Sequence, residues 1–130
     1  MNLTDVRDGL AERLETIVGA GVSSIIPSAV MQTPTFGIGL DLVEFDQDED
    51  GGTMATYSVV MYLSRGGSDA WAQGEADEYV PQVVAAVDAD TTLSGAADFA
   101  RVLQAEVLGT ADVGGTSYVV VEFTVTVWGT

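Results

Sequence analysis

The chain has 130 residues, the size of one domain, and 47% of them are hydrophobic, enough for one core. Twenty acidic residues face four arginines (Arg7, Arg13, Arg65, Arg101) and no lysine, for a formal net charge of −16. Cysteine and histidine are both absent, which excludes disulfides, thiolate chemistry, zinc sites of the usual kind and serine–histidine or cysteine–histidine catalysis within one chain. A surface this acidic repels nucleic acid, because binding needs cations that displace counterions from phosphates. It also repels itself at low salt, and molar salt, with a Debye length of about 3 Å, screens that repulsion. A GC-rich genome favours Ala, Gly, Val, Asp and Arg codons; a salt-loving host selects an acidic, lysine-poor surface, and the size of the imbalance favours that second reading.

The N-terminus lacks a basic segment followed by an apolar one, so no secretory signal is expected. No run of about 18 apolar residues is present to span a membrane as a helix. Val6, Leu10, Leu14 and Ile17 recur at helical spacing and predict a helix from Asp5 to Val18. Thr4 is the expected N-cap, with Asp5 and Asp8 in the first turn and Gly19 and Gly21 as terminators.

Val22, Ile25 and Ile26 have the character of a short strand, followed by an irregular stretch between Pro27 and Pro34. Phe36 to Phe45 alternates apolar residues with glycine and aspartate and predicts a strand. Thr53 to Leu63, rich in β-branched and aromatic residues, predicts its antiparallel partner. Ser68 is positioned to cap a second helix. Its expected apolar face comprises Ala72, Ala76, Tyr79, Val80, Val83, Val84 and Val87, and Pro81 either kinks it or begins a new one.

The stretch Ala97 to Leu108 has helical propensity, but Gly114-Gly115 precedes a clear strand, Tyr118 to Trp128, and a hairpin needs a partner. Arg101 to Asp112 is therefore assigned as strand. The expected fold is α+β in a single domain, residues 1–130. An N-terminal helix and a second helix, kinked near Pro81, pack on one face of a mostly antiparallel sheet of four to five strands that ends in a C-terminal β-hairpin.

Motifs that carry chemistry are weak. Asp46, Asp48, Asp50 and Gly51 match the opening of an EF-hand calcium loop, but the position that needs a bidentate glutamate is Tyr57, and the flanks are strands. The bland reading is a solvated hairpin tip. No carboxylate pair is marked as buried or perturbed, and the pairs Gly51-Gly52, Gly66-Gly67 and Gly114-Gly115 lack phosphate-loop spacing. Trp71 and Trp128 are as suited to an interface as to packing.

The order of elements and several segments resemble tail terminator (tail completion) proteins of long-tailed phages and related archaeal viruses. The segments are Leu3 to Ala11, Phe36-Gly37-Ile38-Gly39, Thr56 to Leu63, Ala89 to Val102 and Gly114 to Tyr118. The resemblance implies a virion structural protein in the neck of the particle, assembled in the host cytoplasm. It implies a homohexameric ring that caps the tail tube and meets the head connector proteins, with genome DNA passing through its lumen unbound. It implies no cofactor, no catalysis and no membrane partner.

A neighbouring head–tail connector or head-completion subunit is the alternative. A small acidic ligand-binding or enzyme domain from a halophile is a more distant one. Interface candidates are Asp46, Asp48, Asp50, Gly51, Trp71, Tyr118, Val120 and Trp128, with the strand edges, the acidic loop and the C-terminal strand as natural contributors to ring closure.

Overall fold

The computed structural model describes residues 1–23, 25–27, 29–30, 32–45, 51–65 and 69–130. Helix α1 spans Leu3–Glu15 and helix α2 Asp69–Asp88; the strands are β1 (Gly21–Val22), β2 (Thr35–Phe45), β3 (Thr53–Ser64), β4 (Phe99–Val113) and β5 (Thr116–Gly129). The strands form one sheet in the order β1-β2-β3-β5-β4, with β1 parallel to β2 and the remaining neighbours antiparallel. This is the α+β architecture that the sequence predicts.

Burial follows the two-residue period of the central strands. Ala55, Tyr57, Val59, Met61 and Leu63 of β3 stand opposite Val127, Val125, Phe123, Val121 and Val119 of β5. All of these are buried except Val119, which packs at the margin of the core. Both helices cover this face: Val6, Leu10, Leu14 and Ile17 follow from α1 and its exit, and Val83, Ala86 and Val87 from α2. A one-residue slip of either central strand would move its whole apolar set into water, so the register is strongly specified.

The ends of α1 differ from expectation. Asn2, not Thr4, is the N-cap; its side-chain oxygen accepts the Asp5 N–H at 3.0 Å, and the helix starts two residues earlier. It stops at Glu15 with Thr16 as C-cap, before the glycines, and the Thr16 hydroxyl donates to the Arg13 carbonyl at 2.6 Å. Of the short strand expected around Val22, only Gly21–Val22 pairs; Ile25 and Ile26 lie outside it and are exposed. Pro81 lies inside one continuous helix and does not begin a second. Ser68, the expected cap of α2, lies outside the described residues.

Two arginines fasten α1 to its surroundings through backbone carbonyls. Arg7 donates to the Ile38 carbonyl of β2 at 2.8 Å, and its guanidinium lies 5.9 Å from the Tyr57 ring centre. The buried Tyr57 hydroxyl donates to the Leu3 carbonyl at 3.1 Å; burial raises its pKa, with Arg7 partly opposing, so it stays a neutral donor. Arg13 donates to the Ala86 carbonyl at 3.0 Å. Helix α2 has no basic residue in its own last turn, so Arg13 supplies the cation that helix C-termini favour.

The passage from α2 to β4 is tightly built. The Asp90 carboxylate accepts from the Thr92 hydroxyl at 2.7 Å, the Ser94 N–H at 2.9 Å and the Thr92 N–H at 3.1 Å. This turn holds Leu93 and Ser94 at positive φ, 50° and 60°, an uncommon conformation for side-chain-bearing residues. The result is that Leu93 is buried directly against α1 at Gly9. A Cβ built on Gly9 would lie 2.7 Å from the Leu93 carbonyl oxygen and 2.8 Å from its Cβ.

Two predictions follow from this junction. Gly9→Ala normally helps a helix interior by about 1 kcal/mol; here it is expected to destabilise by about 1–3 kcal/mol through overpacking, read as a lower denaturation midpoint in urea. The Thr92 hydroxyl bond and the Ser94 N–H bond, in that order, hold the Asp90 pKa below its ordinary value. Its contribution is therefore complete above the ordinary aspartate value of about 3.9 and is lost as pH falls through the depressed folded value. Asp90→Asn should melt lower than the parent chain at pH 7, and the gap should close in melts taken at progressively lower pH.

Candidate assembly surface

The sheet has a covered face and a more open one. On the face away from the helices, the chain between β1 and β2 crosses one end: Pro27 and Ile25 pack over Gly37, and the Tyr118 hydroxyl donates to the Val30 carbonyl at 3.5 Å. Tyr118 meets Tyr62 edge-on with ring centres 6.4 Å apart. Val120, opposite Tyr62 in the ladder, is buried at this covered end. At the other end of the same face, Trp128 is half-buried and packs against the exposed Phe99 with ring centres 5.8 Å apart.

Strand β5 lies between β3 and β4 and has no free edge. Of the two hairpin strands it is therefore β4, and not the C-terminal strand, that presents an unpaired edge. The reason is the central ladder: β5 carries one charged residue, Glu122, against Arg101, Glu106 and Asp112 on β4, and goes to the middle, where both flanks are paired. Of the remaining candidates, Trp71 is exposed on α2, and Gly51 is exposed at φ 73° before β3. Asp46, Asp48 and Asp50, and with them the weak calcium site, lie outside the described residues.

Strand β4 is exposed along most of its length, from Leu103 through Thr110. Two β-bulges interrupt its pairing with β5, between Val102 and Gln104 and between Val107 and Gly109. They place Leu103 and Leu108 as extra residues, and Gly109 takes a φ of 108° beside the second. A bulge bends an edge strand and breaks its flatness. The sequence carried a signal for this: apolar pairs at Val102-Leu103 and Val107-Leu108 do not fit a two-residue period.

The exposed apolar side chains are not scattered. Among the described residues, eleven large hydrophobics are exposed, and seven of these stand on β2 (Leu40, Leu42, Phe45) or β4 (Phe99, Leu103, Val107, Leu108). None is on β3 or β5. A groove of about 660 Å³ runs between α2 and the hairpin, walled by Ala72, Ala76, Val107 and Val119 with Gln73 and Asp77 at its margin. Its lining holds one carboxylate, Asp77, and one hydroxyl, Thr110, with no acid–base pair beside them. A second, more polar recess is lined by Asp5, Asp8 and Glu12 of α1 and by Ser94. Among the described residues no group of three or more acidic side chains is placed to hold a metal ion, and no helix is long and apolar enough to cross a membrane.

Glu106 and Glu122 stand directly opposite on β4 and β5. Like charges in that position oppose each other. No family model matches this chain, and no curated protein compared with it does.

Replacing Glu122 with Gln is expected to stabilise the chain by about 0.5 kcal/mol in dilute buffer, within the range of cross-strand pairs. Repeating the denaturation in about 1 M salt should erase most of the gain.

Proposed function

We propose that this chain is a virion structural subunit, a tail terminator that closes into a homohexameric ring on the tail tube and joins it to the head connector. The observation that carries the reading is the placement of exposed apolar side chains on the two outer long strands of the sheet, in a chain whose net charge is −16. Charge of that size keeps a domain soluble and apart from its copies. Apolar strands left open on such a domain fit a subunit whose association is specific and screened by salt.

The element order adds support. A helix, three strands, a helix and a hairpin follow one another as in the family the sequence resembles. The segment Ala89 to Val102, prominent in that resemblance, forms the turn that ties Leu93 to α1 and launches β4. The acidic composition suits a subunit around the genome's path, because a duplex finds few cations to hold it there. The chemistry of the grooves adds no catalytic set to weigh against this reading.

Native mass measurement and negative-stain imaging in dilute buffer and in molar salt test it. Rings of about six subunits are expected in molar salt and separated subunits in dilute buffer. Purified tail tubes lacking a terminator should recruit the protein to one end. Recruitment by connector particles with none by tubes would assign the chain to the neighbouring connector position. A chain that stays monomeric and is recruited by neither would overturn the reading.

A further inference from the structure

The reading of the chain as a ring subunit leaves open which surfaces meet, and the following rests on that reading. We infer that the subunits join by antiparallel pairing of β4 of one copy with β2 of the next, so that the sheet continues from subunit to subunit. The two strands are open on opposite sides of the sheet. On the β2 side, β1 covers only Thr35 and Phe36, and Arg7 occupies the Ile38 carbonyl. Gly39–Glu44 has no further strand beyond it among the described residues. On the other side, β4 is the last strand along its whole length.

Direction agrees with this. Three antiparallel steps separate β2 from β4, so the two run in opposite directions within one copy. A rotation about an axis along the strands keeps those directions, and brings β4 beside the next copy's β2 as an antiparallel neighbour. Because the two edges are different surfaces, the contact is head-to-tail, the type that closes rings.

Side chains select a register. Arg101 of β4 stands on the face away from the helices, opposite Thr126, and Glu44 of β2 stands on that same face, opposite Met54. Setting Arg101 against the neighbour's Glu44 also sets Val102 against Val43 and Leu103 against Leu42. One charge-complementary pair and two apolar pairs result, and the exposed Leu42 and Leu103 lose water together. Both stretches carry a bulge, at Asp41 and at Leu103. An irregular edge rejects indiscriminate partners and accepts one of matching shape.

The absence of native cysteine allows a direct test. In one copy β3 and β5 lie between β2 and β4, a gap of roughly 14 Å at the usual strand spacing, too wide for a disulfide, which needs Cα atoms within about 7 Å. Any disulfide in the Leu42→Cys/Leu103→Cys variant must therefore join two copies. Oxidation in molar salt should give a covalent ladder ending at the ring on a non-reducing gel, with each single variant giving little product. Strong dimer formation by Leu103→Cys alone would mean that β4 pairs with itself and would overturn the proposal.

A mixing experiment tests the same contact without cysteines. Leu103→Lys/Leu108→Lys blocks β4, and Leu40→Lys/Leu42→Lys blocks β2; unchanged circular dichroism checks that each folds. Each variant alone should stay monomeric in molar salt, and their equimolar mixture should stop at a one-to-one heterodimer, since only one intact β4 meets one intact β2. Parent rings with no cross-linking, or blocked variants that still close rings, would overturn the edge pairing while leaving the ring. Parent chains that remain monomeric in molar salt would overturn the edge pairing as well, and the tail-tube recruitment above would then decide the ring reading by itself.

Discussion

The ladder between β3 and β5 is the constraint on which the rest of the structure depends. Twelve registered pairs join the two strands, from Thr53 with Gly129 to Ser64 with Tyr118. Their odd-numbered side chains build the floor of the core, and both helices lie on that floor. Once β5 occupies the middle of the sheet, its hairpin partner β4 is left at the margin. Several apolar residues of β4 beyond Val102 then remain in water.

The helical layer is held by a few specific contacts in addition to apolar area. Arg7 and Tyr57 tie the start of α1 to β2 and β3, Arg13 caps α2, and Leu93 fills the space left by the missing side chain of Gly9. Two of the chain's four arginines are thus used inside the fold, each on a backbone carbonyl. Arg101 remains on the surface of the edge strand. With so few cations, where each stands matters more than it would in a chain of balanced charge.

Charge and edge chemistry act in opposite directions. A net charge of −16 separates copies when ions are scarce, and open strands with exposed leucine and valine favour contact. Salt shifts the balance toward contact, because screening weakens the repulsion much more than it affects apolar burial. The opposed pair Glu106 and Glu122 belongs to the same balance. Bulges at Asp41, Leu103 and Leu108 keep the open strands from being flat templates for indiscriminate pairing.

Local patterning along the chain was enough to place both helices and the four long strands in order, because their side-chain periods are strong. Val6, Leu10, Leu14 and Ile17 repeat at helical spacing, and Val121, Phe123, Val125 and Val127 at strand spacing. It was also enough to choose strand over helix for β4, since the Gly114-Gly115 turn demanded a partner. Helix ends were less legible, because Asn2 and Thr4 are both good caps and their geometry decides between them.

The two local pairings, β2 with β3 and β4 with β5, were legible, but the order in which they join into one sheet was not. A period of two says which face a residue takes but not which strand lies beside it, so no local pattern tells that β5 is enclosed by β3 and β4 while β4 stands at the margin. For the same reason Val120, an interface candidate by its place in the sequence, is buried, at the end of the face where the segment between β1 and β2 meets Gly37 and Tyr118. The open strand β4, its bulges and the side-by-side carboxylates of Glu106 and Glu122 all arise from long-range pairing. Such pairing is settled by which arrangement buries the most apolar surface across the whole domain, and no short stretch of sequence holds that information.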